Sequence, residues 1–70
     1  MNLSAILVVT APTRVEACIA LLNDQPGVSV HHSDPVTGKI MLTQEAESID
    51  AEIEGLKRIK ALPEIGRAHV

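Results

Sequence analysis

From residue 3 to residue 10 the chain reads LSAILVVT, apolar and β-branched, and Ala11-Pro12 closes the run. A stretch this short fits a strand better than a helix. Apolar side chains then recur at Val15, Cys18, Ile19 and Leu22, the i, i+3, i+4, i+7 stripe of one helix face. In front of that stripe, Thr13-Arg14-Val15-Glu16 has the Thr-x-x-Glu form of a capping box. Asn23-Asp24-Gln25-Pro26-Gly27 ends the helix, because Pro supplies no amide and Gly accepts a positive φ. Val28–His32 alternates as a half-buried strand does, Asp34-Pro35-Val36-Thr37-Gly38 has hairpin-turn chemistry, and Lys39–Gln44 returns as a strand. Ser48 is placed to cap a second helix whose stripe is Ile49, Ile53, Leu56 and Ile59. Asp50 and Glu52 suit its N-terminal dipole, Glu54 is spaced to pair with Arg58, and Lys57, Arg58 and Lys60 suit its C-terminus. Leu62-Pro63-Glu64 ends this helix, and Ile65–Val70 reads as a last strand.

Strand, helix, strand, strand, helix, strand is the order of a split β-α-β arrangement. The prediction is a single α+β domain over residues 1–70 with the ferredoxin-like topology. It has a four-stranded antiparallel sheet in the order 4-1-3-2 and two helices on one face. The other sheet face is then left to water or a partner. Strand 1 is apolar on both sides, so its parity has to be chosen. The richer set, Leu3, Ala5, Leu7, Val9, Val28, Val30, Ile40 and Leu42, is assigned to the core. Ser4, Ile6, Val8, Thr10, Ser29, His31, Lys39, Met41 and Thr43 are then expected on the open face, an aliphatic centre with a hydroxyl-rich rim. A one-residue change of register would exchange the two sets.

Composition narrows the function classes. The 70 residues are 46% hydrophobic with no Phe, Tyr or Trp, so the core is wholly aliphatic. Stability of about 4–10 kcal/mol is expected at this length. A net charge of −3 and the lack of aromatic stacking platforms argue against nucleic acid as a partner. The longest apolar run, Ala5–Val9, is far too short to insert in a membrane. One cysteine makes no internal disulfide, no secretory signal opens the chain, and a cytoplasmic protein is expected.

Candidate chemistry reduces to structural roles. His31 and His32 are adjacent, so on a regular strand they point to opposite faces and cannot share a metal. Thr37-Gly38-Lys39 lacks the earlier glycine of a phosphate loop and leads into a strand. Cys18 lies on an apolar stripe with no base beside it. Glu45, Glu47, Asp50, Glu52 and Glu54 make an acidic stretch, read either as a solvated helix entry or as a surface that steers a basic peptide. No nucleophile–base pair, paired-carboxylate site or cofactor motif is present, and no enzyme activity, metal or cofactor is expected.

Several segments do carry a resemblance. Ser4–Ala11, Pro26-Gly27-Val28, Ser33-Asp34-Pro35-Val36-Thr37-Gly38-Lys39-Ile40, Glu45-Ala46-Glu47 and Leu62-Pro63-Glu64-Ile65 together resemble the NapD family. These are cytoplasmic chaperones for the catalytic subunit of periplasmic nitrate reductase. The resemblance implies binding of the twin-arginine signal peptide of the reductase precursor, which delays export until the cofactor is inserted and the enzyme is folded. It also implies a helical peptide on the open sheet face, and the parity assigned above puts the peptide's apolar side over Ile6, Val8 and Met41. Val8→Asp or Met41→Asp is then expected to abolish binding without unfolding the chain. A second copy of the chain is the other occupant such a face admits, giving a homodimer. The element order is also that of amino-acid-sensing regulatory domains of the ACT or leucine-responsive-regulator type, which dimerise around a small ligand.

Overall fold

The computed structural model describes residues 1–70. Strand β1 covers Asn2–Val9 and is followed by a short 3-10 turn, Pro12–Arg14, and helix α1, Val15–Asn23. The hairpin strands are β2, Val28–Asp34, and β3, Lys39–Ala46; helix α2 covers Ile49–Lys60 and β4 covers Arg67–His69. The sheet order is β2-β3-β1-β4 with every neighbour antiparallel, the ferredoxin-like arrangement expected from the sequence.

Turn chemistry accounts for the hairpin. The Gly38 amide donates to the Asp34 carbonyl at 2.9 Å, and the Val36 amide donates to Asp34 Oδ1 at 2.9 Å. The latter bond, with help from Thr37 and the nearby His32 ring, holds the Asp34 carboxyl below its ordinary range. Gly38 has φ +79°, and an added Cβ would meet the Thr10 carbonyl, so only glycine fits there.

The core joins both helices to the sheet. Ile6, Val8, Val15, Cys18, Leu22, Ile40, Leu42, Ile59 and Ala68 are buried together. The first helix stripe is as expected, with Val15, Cys18 and Leu22 buried and Ile19 packed against them. The second stripe holds only in its C-terminal half. Ile59 is buried and Leu56 half-buried, whereas Ile49 and Ile53 are 69% and 48% exposed. The face of α2 that meets the sheet instead runs through Glu52, Gly55 and Ile59. At Gly55 the helix comes so close that an added Cβ would strike the Gln44 side-chain amide. Gln44 is buried there, and its Nε2 donates to the Glu52 carbonyl at 3.1 Å.

Local capping divides. Ser48 caps α2, its Oγ accepting from the Ala51 amide at 3.1 Å. The Thr13–Glu16 box does not form, because the 3-10 turn occupies its first residues and α1 starts at Val15 with no side-chain cap. Glu54 pairs with Lys57 at 3.4 Å, the i,i+3 neighbour, and not with Arg58. The last strand is three residues long, so β4 borders β1 only at Leu7, Val8 and Val9.

Candidate functional site: the open sheet face

The parity of β1 is the reverse of that expected. Ser4, Ile6, Val8 and Thr10 are buried at 5% exposure or less, on the helix-covered side. Cross-strand pairing explains why. Ile6 lies opposite Leu42, Val8 opposite Ile40 and Ser4 opposite Gln44, and paired residues share a face. The hydroxyls that made this side look solvent-facing are satisfied inside. Ser4 Oγ donates to Glu52 Oε1, and Thr10 Oγ1 donates to the Glu64 carbonyl. Strand β1 therefore presents Leu3, Ala5, Leu7 and Val9 to the open face, the four residues expected in the core. On β3 the assignment stands: Ile40 and Leu42 are buried, and Lys39, Met41 and Thr43 face out. On β2, Val28 and Val30 pack against the core while Ser29 and His31 are exposed.

Pairing orders the face into rows across the sheet. The first row is Leu3 beside Glu45, and the next is Ala5, Thr43 and Ser29. The third runs His69, Leu7, Met41, His32 from edge to edge, and the fourth runs Arg67, Val9, Lys39, Asp34. A bulge between Val30 and His32 inserts His31 as an extra residue. Its Nε2 lies 2.7 Å from Thr43 Oγ1, so His31 is on the open face, and so is His32, the partner of Met41. The expectation that the two imidazoles point to opposite faces is thereby overturned, since a bulge breaks the two-residue period on which it stood. No set of three His, Cys, Asp or Glu side chains converges in metal-binding geometry.

The arrangement is a shallow aliphatic strip between polar edges. Leu3, Ala5, Leu7, Val9 and Met41 form its centre, with Leu3 66% and Met41 39% exposed. Imidazoles flank the Leu7–Met41 pair on both sides. Glu45 closes one end of the strip and Lys39 with Arg67 the other. None of these three charges has an opposite charge within ion-pair distance, so all are free to meet a ligand. The sequence reading did not place Leu3, Ala5, Leu7, Val9, His32, Arg67 and His69 on this face, and it named Glu45 only within the acidic stretch. Gln44 carried the usable signal: it shares a side with Ile40 and Leu42, and only an inward hydroxyl or amide partner makes that side consistent.

The NapD protein family matches residues 1–70, the full length described. The chain belongs to the NapD family. The solution structure of the Escherichia coli Tat proofreading chaperone NapD has the same fold, with a TM-score of 0.93 over 97% of this chain and 72% of that one, at 20% identity. No curated relative matches by sequence. In this NapD-family chain the lone thiol lies away from the open face. Cys18 is buried under α1, where burial and then the Glu64 charge push its pKa up, against a smaller opposing effect of Thr10. No helix is long and apolar enough to cross a membrane.

Proposed function

We propose that this chain is a cytoplasmic Tat proofreading chaperone that binds the twin-arginine signal peptide of the periplasmic nitrate reductase precursor. Occupying the peptide would delay export until the cofactor is in place and the enzyme has folded. The observation that carries the reading is the aliphatic strip Leu3–Ala5–Leu7–Val9–Met41, uncovered on a sheet whose other face is filled by helices, in a member of the NapD family. Such a signal segment has a basic start followed by an apolar stretch. As an amphipathic helix about 10 Å wide, it can lie along β1 and β3, whose combined width is similar. Ser29, His31, Lys39, Met41 and Thr43 remain binding residues in this reading. Leu3, Ala5, Leu7 and Val9 take the place of Ser4, Ile6, Val8 and Thr10, which are buried.

The test is an amide chemical-shift map with a synthetic twin-arginine signal peptide of the reductase precursor. Shifts concentrated at Leu7, Met41, Thr43 and Ser29, weakened when both peptide arginines are lysines, are the expected result. Shifts confined to the outer surfaces of α1 and α2 would overturn the assignment of the face. Response to free amino acids, with none to the peptide, would favour a ligand-sensing domain. A face already occupied by a second copy would appear as a tight dimer indifferent to peptide.

A further inference from the structure

The open face is electrically polarised along the strands, and that polarity can select the direction of a bound peptide. At the Leu3 end, Glu45 stands beside the strip, with Glu47 exposed just beyond it. At the Val9 end, Lys39 and Arg67 lie on either side of Val9, on β3 and β4. Asp34 sits opposite Lys39 at the outer edge and only partly offsets it, leaving this end net positive. Between the ends, the rows of Ala5, Thr43 and Ser29 and of Leu7 and Met41 hold no carboxylate, lysine or arginine. The first and last rows are six residues apart along β1, roughly 20 Å at strand rise. A helix of about 13 residues covers that distance.

On the reading that the face takes a twin-arginine peptide, we propose that it binds the peptide in one direction, arginines over Glu45 and C-terminal turn over Lys39 and Arg67. Two independent features of the peptide agree on this direction. Its guanidinium groups are attracted to the Glu45 and Glu47 end and repelled from Lys39 and Arg67. As a helix, it also carries its partial negative charge at the C-terminus, which the Lys39–Arg67 end accepts. The reversed pose places like charges together at both ends, while its apolar contacts with Leu7 and Met41 are unchanged. Apolar contact thus provides attachment without direction, and Glu45, Lys39 and Arg67 are the specificity-determining residues.

Two peptides with a nitroxide label, one beside the arginines and one at the C-terminal end, read the direction through paramagnetic broadening of the protein's amides. The first is expected to broaden Leu3, Thr43 and Glu45, and the second Val9, Lys39 and Arg67. Glu45→Lys is expected to weaken binding by about tenfold at low salt, with the difference shrinking as salt screens these exposed charges. Combining Glu45→Lys with Lys39→Glu and Arg67→Glu is expected to exchange the two broadening patterns. All three positions are exposed, so the variants test binding in a folded chain. The opposite pattern in the unaltered chain, or equal broadening of both ends by each label, would overturn the directional proposal while leaving peptide binding intact. Absence of any binding would overturn the function on which it rests, and the direction with it.

Discussion

At the scale of single residues, adjacent positions on β1 have opposite roles. Val8 is fully buried, so the earlier expectation that Val8→Asp removes binding while sparing the fold does not hold. A lone carboxylate there would lack a partner in an aliphatic core. The expected cost exceeds about 3 kcal/mol, a large share of the total for a chain this size. Leu7→Asp, one residue earlier, should cost less than about 1.5 kcal/mol, because its neighbours on the open face are solvated. Urea unfolding of the two variants checks the contrast, and similar midpoints would contradict the observed parity. Cys18 supplies a second test. Its folded pKa is raised, so above the ordinary thiol value of 9.0 the unfolded chain loses a proton that the folded chain keeps. Stability therefore falls as pH rises from about 9 toward the folded value, while below that range the thiol is protonated in both states and makes no difference. Cys18→Ala should flatten this alkaline slope, measured as the unfolding midpoint against pH; an unchanged slope would assign it to other groups.

At the scale of elements, the periods and the order of the strands were legible, and the residue register between them was not. Val15, Cys18 and Leu22 announce α1 because a helix stripe is a property of one segment. The side of β1 that enters the core depends on which residues of β3 lie opposite it. That is a tertiary fact, and both sides of β1 are apolar enough to qualify. The bulge at His31 left one local trace, since His31 and His32 are both polar where the alternation of Val28-Ser29-Val30 calls for an apolar residue at 32, but the trace gains meaning only once the pairing with β3 is known. Ile49 and Ile53 misled in another way. They complete a good stripe, yet α2 approaches the sheet at Gly55, where the absence of a side chain permits close contact. A glycine inside a helix ordinarily costs about 1 kcal/mol relative to alanine. Here Gly55→Ala should lose stability by about 1–2 kcal/mol instead, because Gln44 must give up its buried bond to the Glu52 carbonyl. Thermal unfolding decides the sign, and a more stable variant would mean the Gln44 amide moves aside freely.

At the scale of the whole molecule, the one-sided layering could be inferred from the order of elements alone. Two helices of a split β-α-β unit fall on one side, leaving a sheet face open whichever parity β1 adopts. The existence of an open sheet face was therefore legible, and its membership on β1 was inverted. What the fold then presents is an aliphatic strip with a carboxylate at one end and cations at the other, carried by a NapD-family chain. The most direct test is a calorimetric titration of the reductase's twin-arginine signal peptide into the unaltered protein and into Met41→Asp, a method that needs none of the aromatic reporters this chain lacks. Saturable one-to-one binding by the unaltered protein, lost in a Met41→Asp variant that unfolds at the same temperature, is the predicted result. No heat with the unaltered protein, or equal affinity in both, would contradict the account.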